Sequence, residues 1–200
     1  MIEKIKQYYK KPIFSIIEIG SAHGKDADYL AKTFNVDSNN VHIFEPRPEA
    51  CALIKSQYPQ YKIYEIAVSN FTNSKVKFNV DCQSGEMSSL LYRERNRDLY
   101  DHGHTLYVNV DTFKNICGKN SIDSIDLVKI DTEGCTYEVL CGFEEIINKV
   151  KVFHLECENI EFWKDQRFTK DVLGLLKDFQ LVFTTNNEQD DLILINKKFL

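Results

Sequence analysis

Glycines and acids in this chain are spaced in a way that could bind a charged ligand. The stretch "IIEIGSAHGKDADYL" (16–30) is typical of a buried strand, a turn holding Gly20 and Gly24, and the start of a helix. Glu18 precedes the turn, and Glu45 ends the next apolar run, 21 residues after Gly24. Glycines let a backbone approach a ligand closely, and an acid at the second strand's tip can accept hydrogen bonds from both ribose hydroxyls. The pattern predicts an adenosine-bearing ligand.

The first turn lacks two glycines of the dinucleotide-binding pattern, and their absence indicates which adenosine-bearing ligand to expect. A dinucleotide needs backbone N–H groups packed around its pyrophosphate, and the G-x-G-x-x-G spacing supplies them. Here Ala22 and Lys25 stand at the second and third glycine positions. Glu18 would also place negative charge beside a diphosphate, whereas S-adenosylmethionine has no phosphate and carries an ammonium and a sulfonium. The charge of Glu18 therefore favours S-adenosylmethionine over NAD.

A second acidic group follows another apolar run. "IDLVKIDTEGCTYEVLCGF" (125–143) predicts a buried strand ending at Asp131, then Glu133, Gly134 and an amphipathic helix. Both acids would face the same crevice as the first turn, because parallel strands end at one edge of a sheet. There they could orient a methyl donor or an acceptor hydroxyl. Alternatively, they cap the helix that begins near Gly134.

The elements that position these residues alternate between short apolar runs and helical stretches, which predicts an α/β fold with a parallel sheet. The C-terminal runs "FQLVFTT" and "DDLILINK" flank a polar turn, so the last strand is expected to be antiparallel to its neighbour. The other predicted strands cover residues 14–19, 41–44, 61–68, 125–130 and 151–156. The predicted helices cover residues 2–10, 26–34, 47–57, 134–147 and 168–177.

One insertion, residues 70–110, is longer than a usual connection between strands. It holds two further strand patterns, "KVKFNVD" and "TLYVNVD", with a polar segment between them. We interpret it as a substrate lid or a long surface loop within a single domain of residues 1–200, since this length suits one core.

Composition narrows the class of protein. The chain is 43% hydrophobic and 28% charged, with net charge -5, which predicts a globular protein with no nucleic-acid partner. The densest basic stretch, "YRERNRDLY", is diluted by acids, and we interpret Arg93, Arg95 and Arg97 as a solvated surface. The six cysteines lack C-x-x-C spacing, and neither a signal peptide nor a membrane span is evident. We expect a soluble, cytoplasmic protein that contacts no membrane.

Taken together, these motifs resemble the FkbM-type family of class I S-adenosylmethionine-dependent methyltransferases. The resemblance covers roughly residues 14–160 and rests on "IEIGSAHG", "FEPRPEA", "AVSN", "SSLL", "VNVDTF" and "IDLVKIDTEG" in this order. It implies a Rossmann-like, seven-stranded, mostly parallel sheet with an antiparallel last strand and helices on both faces. It also implies O-methylation of a sugar, glycan or related small molecule.

The resemblance also implies roles for individual residues. It places Asp131 and Glu133 at the methyl-transfer point, and Asp131 touches the donor as well. His23 departs from the asparagine common in the family, and Glu18 from the more frequent aspartate. The expected cofactor-binding residues are Glu18, Gly20, Ser21 and Gly24 at the amino-acid end, Glu45 at the ribose and Ala67 near the adenine, together with His23 and Pro46.

A sugar hydroxyl is a weak nucleophile at neutral pH, so a general base or a metal ion should assist it. Asp131 and Glu156 end neighbouring predicted strands, and their oxygens would suit Mg²⁺ or another divalent cation. Alternatively, Glu156 orients the substrate or pairs with a cation such as Lys129. The candidate bases are Asp131, Glu133, Glu156, His102 and His104.

Other interpretations stay open on the sequence alone. Phe162 and Trp163 could stack on a sugar face or fill the core beneath a loop. The chain could be one part of a larger glycan-building enzyme. The competing functions are an NAD-dependent oxidoreductase, a nucleic-acid methyltransferase and a non-catalytic module.

Overall fold

Strands and helices alternate along most of the chain. The structure is a computed structural model that describes residues 2–81, 84–93 and 102–200, and only the backbone of residues 2, 102 and 103. The strands are β1 (Ile16–Ile19), β2 (Val41–Glu45), β3 (Lys62–Glu65), β4 (Ala67–Val68), β5 (Asn73–Asp81), β6 (His102–Asp111), β7 (Leu127–Ile130), β8 (Val152–Glu158), β9 (Phe179–Thr184) and β10 (Gln189–Asn196). The α-helices are α1 (Ile2–Tyr8), α2 (Lys25–Phe34), α3 (Pro48–Gln57), α4 (Phe113–Asn120), α5 (Thr136–Cys141) and α6 (Thr169–Leu175).

Seven strands form the main sheet, in the order β3-β2-β1-β7-β8-β10-β9. Neighbours from β3 to β8 run parallel, whereas β10 is antiparallel to both β8 and β9. The central strands β1 and β7 are buried along their whole length, as expected for parallel strands covered on both faces. The predicted fold class is confirmed, including the antiparallel last strand.

Helices cover both faces of this sheet because neighbouring side chains on each strand point to opposite faces. Ile17 and Ile19 pack on one face with residues of α4, α5 and α6. Ile16 packs on the other face with residues of α1, α2 and α3, among them Leu30 and Ile54. The point at which strand order reverses lies between β1 and β7, where α/β sheets bind ligands.

A second, three-stranded sheet of order β4-β6-β5 is built mostly from the insertion. The two extra strands predicted there are confirmed, and β5 and β6 pair antiparallel. The single strand predicted over residues 61–68 is wrong, since it divides into β3 and β4. A tight turn at Ile66, whose N–H donates to the carbonyl of Tyr64 at 3.1 Å, separates the two. One segment therefore serves both sheets.

Two helices differ from expectation. The helix predicted over residues 134–147 ends at Cys141, and a 3-10 helix follows at Glu144–Lys149. A Cβ at Gly142 would come within 2.1 Å of the Ser69 backbone oxygen, and the helical backbone changes two residues later at Glu144, whose φ is +49°. Helix α4 was not predicted, although Thr112 caps its start by accepting a hydrogen bond from the Asn115 N–H.

In the described part of the chain, no helix has both the length and the apolar character needed to cross a membrane.

Candidate active site

A cavity of about 320 Å³ opens at the carboxyl ends of β1, β2, β7 and β8. This is the switch point of the sheet, and the volume is in the range of small-ligand pockets. Glu18 and Gly24 lie behind its wall, whereas Glu133 and Glu156 lie in it. Seven of the predicted cofactor-binding residues line it: Gly20, Ser21, His23, Glu45, Pro46, Ala67 and Asp131.

The first turn is organised around Ser21. The Ser21 hydroxyl donates to Glu18 Oε2 at 2.6 Å and accepts the Gly24 N–H at 2.9 Å. Gly20 and Gly24 both have left-handed backbone conformations, with φ values of +81° and +73°. A Cβ at Gly24 would lie 3.0 Å from Ile54 of α3, so this glycine serves packing behind the cavity.

Glu18 lies in the middle of the sheet and is 1% exposed. Burial raises the pKa of its carboxyl to about 7, although Lys129 and the Ser21 hydroxyl act in the opposite direction. Its carboxylate therefore acts on the cavity indirectly, through its hydrogen bond with the Ser21 hydroxyl. Direct contact between Glu18 and a cofactor stays a prediction.

Glu45 joins the second strand to the first turn. Its Oε2 accepts the N–H of Ala22 at 2.9 Å, and its Oε1 accepts the backbone N–H and the Nε of Arg47 at 3.0 and 2.8 Å. Each carboxylate oxygen can accept more than one hydrogen bond, so capacity for a ribose hydroxyl remains. Arg47 was not predicted, although its position two residues after the tip acid was the available signal.

Three carboxylates, which we call the acid triad, meet at the other end of the cavity. One oxygen from each of Asp131, Glu133 and Glu156 lies within 4.8 Å of the other two. Burial, followed by neighbouring acids, raises the pKa of both Glu133 and Glu156. Crowded carboxylates of this kind either hold protons or attract a cation.

Lys129 supplies positive charge beside the triad. Its Nζ lies 2.9 Å from Asp131 Oδ2 and 2.7 Å from Asp26 Oδ2. Glu156 instead accepts a hydrogen bond from Gln189 Nε2 at 2.7 Å. Lys129 therefore pairs with Asp131, and not with Glu156 as the sequence suggested. Gln189 lines the cavity and was not predicted from the sequence.

Residues 84–93, which we call the strap, lie along the cavity. At one end Glu86 pairs with His23 at 3.2 Å, and at the other the Ser89 hydroxyl donates to the Glu133 carbonyl at 2.6 Å. Arg93 lies over the ring of Trp163, 5.1 Å from its centroid, and is 7% exposed. The prediction that Arg93 belongs to a solvated surface is wrong, and Arg95 and Arg97 lie outside the described residues.

Among the described side chains, two of the sequence candidates, His104 and Trp163, do not line the cavity. His104 is exposed on β6, and the side chain of His102 lies outside the described residues. Trp163 is 1% exposed and packs against Gly134, where an added Cβ would lie 3.0 Å from the ring. Trp163 therefore fills the core, and the predicted base candidates that line the cavity are the carboxylates of Asp131, Glu133 and Glu156.

The sheet order and the cavity at its switch point define a Rossmann-like α/β protein with a ligand site. Similar proteins identify its class as that of a methyltransferase. The 2-O-methyltransferase NoeI of Sinorhizobium fredii (strain NBRC 101917 / NGR234) is 24% identical to this chain, and the similarity covers 98% of this chain and 84% of NoeI. A model of the methyltransferase FkbM domain matches residues 18–183. The chain therefore belongs to the FkbM methyltransferase family and is a methyltransferase of FkbM type.

Solved structures share the fold at low sequence identity. Methyltransferase FkbM from Methylobacillus flagellatus KT superposes with a TM-score of 0.57 at 12% identity, over 91% of this chain and 43% of that one. M. capricolum TrmK, solved with S-adenosyl-homocysteine, has a TM-score of 0.52 at 11% identity, over 98% of this chain and 67% of that one. The chain thus spans less than half the length of the M. flagellatus protein.

Proposed function

We propose that this protein transfers the methyl group of S-adenosylmethionine to a hydroxyl oxygen of a sugar, glycan or related small molecule. The observation that carries the proposal is one cavity with Glu45 at one end and the acid triad at the other. The first end suits a ribose, and the second suits a sulfonium and a hydroxyl. Support also comes from the NoeI relative, a 2-O-methyltransferase, and from the S-adenosyl-homocysteine bound in TrmK.

The alternatives fit the cavity less well. An NAD-dependent oxidoreductase would need N–H groups around a pyrophosphate, where this chain has Ala22 and Lys25 in place of glycines. A nucleic-acid methyltransferase would bring phosphates towards the acid triad on a protein of net charge -5.

Transfer of this kind is an in-line displacement. The acceptor oxygen forms a bond to the methyl carbon, the carbon–sulfur bond breaks, and the sulfonium leaves as a neutral thioether. The acceptor proton must go to a base, and we assign it to a carboxylate of the acid triad. Asp131 is a candidate because it is ion-paired with Lys129, and Glu133 because its side chain lines the cavity. Positioning supplies much of the acceleration.

The acid triad also has the donor chemistry of a Mg²⁺ site. Asp131 and Glu156, together with Glu133, would each provide one hard oxygen ligand. A bound divalent cation would lower the pKa of a coordinated hydroxyl. The strap and the rest of the insertion would serve as the substrate lid, and a sugar or glycan would be the partner, within this single domain or a larger glycan-building enzyme.

Calorimetric titration with S-adenosyl-homocysteine tests the donor half of the proposal. We expect binding in chelator, no binding of NAD, and a loss of about tenfold or more in affinity for Glu45→Ala, since one bidentate contact is removed. Glu65→Ala is the matched control, because Glu65 stands beside Glu45 on β3 but is exposed. Failure of the intact protein to bind would refute the proposal.

Adding Mg²⁺ to the same titration tests the metal. Tighter binding or a separate Mg²⁺ isotherm that Glu156→Gln removes would make the triad a ligand set. Identical curves with chelator and with Mg²⁺ would leave the three acids as hydrogen-bonding groups.

A further inference from the structure

The turn that carries Glu133 has an unfavourable backbone. Glu133 and Gly134 are both left-handed, with φ values of +50° and +85°. Glycine adopts this conformation freely, whereas a side chain at Glu133 costs free energy that glycine would not. In addition, Glu133 Oε2 is buried and has no hydrogen-bond partner among the described residues. Backbone and side chain are thus both unfavourable at one residue that lines the cavity.

Two other elements hold this turn in place. From β8, Glu158 Oε1 accepts the N–H of Gly134 at 3.0 Å, and from the strap the Ser89 hydroxyl donates to the Glu133 carbonyl at 2.6 Å. Both side chains are deeply buried, with Glu158 2% and Ser89 1% exposed. Trp163 packs against Gly134 from a third direction. The orientation of Glu133 is therefore determined by contacts from outside its own turn.

We propose that Glu133 contacts the acceptor hydroxyl, and that Glu158 and Ser89 are positioning residues that act through it. This inference rests on the proposed methyl transfer. Backbone strain persists in proteins where surrounding structure enforces it, and it concentrates at functional sites. Glu133 lines the cavity, and its buried Oε2, which has no partner among the described residues, would be available to accept a substrate O–H. Because Ser89 belongs to the strap, a substrate that displaces the strap would also move Glu133.

The first test separates stability from transfer. Glu133→Gly removes the strain and the buried Oε2 that has no hydrogen-bond partner among the described residues, so we expect the melting temperature to rise by about 2–4 °C. Methyl transfer from S-adenosylmethionine to a panel of methyl glycosides with a free 2-hydroxyl should fall by about 100-fold or more in kcat. Affinity for S-adenosyl-homocysteine should stay within about threefold, which a folding defect would not allow.

Ser121→Gly is the matched control for this test. Ser121 is left-handed as well, with a φ of +53°, but it ends helix α4 away from the cavity. We expect a similar rise in melting temperature with unchanged transfer. Wild-type transfer by Glu133→Gly, or a lower melting temperature, would overturn the inference.

The second test addresses Glu158 and Ser89. Glu158→Gln keeps an oxygen that can accept the Gly134 N–H and should retain kcat within about threefold, whereas Glu158→Ala should lose about 10- to 100-fold. Ser89→Ala should lower kcat by about tenfold in the wild type and have no further effect in Glu133→Gln, because it acts through Glu133.

The outcomes separate this inference from the proposed function. A wild-type protein that methylates no glycoside and does not bind S-adenosyl-homocysteine would refute the function and the inference together. A wild-type protein that transfers normally, with additive losses for Ser89→Ala and Glu133→Gln or equal losses for Glu158→Gln and Glu158→Ala, would overturn the inference alone.

Discussion

At the scale of single residues, Gly20 occupies the tightest point of the cavity wall. Its backbone is left-handed, and a Cβ there would lie 1.8 Å from the carbonyl oxygen of Asp131. Its N–H donates to the Phe44 carbonyl at 3.0 Å. The tips of β1, β2 and β7 thus meet at this glycine, and a side chain would force them apart.

We predict that Gly20→Ala lowers the free energy of unfolding by about 3 kcal/mol or more, because the clash is with backbone and the φ is unfavourable. Gly118→Ala is the matched control. Gly118 lies in helix α4 with no atom of the described residues within 4 Å of an added Cβ, so alanine should raise stability by up to about 1 kcal/mol. Urea denaturation of both variants measures the difference, and equal effects would contradict the clash.

Residue types and spacing were enough to predict several residues at the strand ends that line the cavity. Glu45 and Asp131 could be assigned to the cavity because each follows a recognisable strand. The hydrogen bonds of Ser89 and Gln189 could not, since their partners, Glu133 and Glu156, stand 44 and 33 residues away in the chain. Spacing along a strand predicts which edge a residue occupies but not which distant segment packs on it.

At the scale of elements, the strap connects the two ends of the cavity. Gly85 packs beside the guanidinium of Arg47, where a Cβ would lie 1.9 Å from Nη1, and Glu86 pairs with His23. The His23 and Glu86 side chains are 31% and 60% exposed, so the pair contributes little to folding. Its position between the first turn and the strap suits control of ligand exit.

We predict that Glu86→Gln speeds release of S-adenosyl-homocysteine by about two- to fivefold, because loss of a pair worth up to about 1 kcal/mol loosens the strap. Stability should change by less than about 0.5 kcal/mol. Stopped-flow displacement measures the rate. Glu144→Gln, which breaks an exposed pair with Lys114, should leave the rate unchanged. A rate unaffected in Glu86→Gln would exclude the pair from gating.

The predicted bounds of one strand and one helix were wrong. Residues 61–68 have the period of one strand, yet the turn at Ile66 sends β3 to one sheet and β4 to another. The helix predicted over residues 134–147 ends at Cys141, and Glu144 then takes a left-handed φ of +49°. At residues 67–68 a tertiary contact, the pairing of β4 with β6, overrides the local strand period.

At the scale of the whole molecule, burial of acids links folding to pH. Burial raises the pKa of Glu18 and of Glu158 to about 7. Glu18 faces Lys129, Asp26, Asp131 and the Ser21 hydroxyl, and burial outweighs the favourable contacts among these. The folded protein binds the Glu18 proton more tightly than the unfolded chain does, and this difference contributes to the free energy of unfolding. The contribution is fully present below about pH 4.5 and is lost as pH rises to about 7.

We predict that wild-type stability falls between about pH 4.5 and 8 by about 3 kcal/mol more than that of Glu18→Gln, which has no such proton to lose. Urea denaturation at a series of pH values gives both curves. Glu65→Gln, which changes an exposed carboxylate, should run parallel to the wild type. If the stability curve of Glu18→Gln runs parallel to that of the wild type, burial does not raise the pKa of the Glu18 carboxyl.

The sequence by itself determined the α/β class, the strands that end at the cavity and the acids at their tips. These follow from local rules, since hydrophobic periodicity and glycine positions act over a few residues. Only the tertiary structure decided that Glu18 lies behind Ser21, that Lys129 pairs with Asp131 and Asp26, and that Glu158 and Ser89 hold the turn at Glu133. Such contacts depend on how distant segments pack, because burial and hydrogen-bond geometry exist only once the chain has folded.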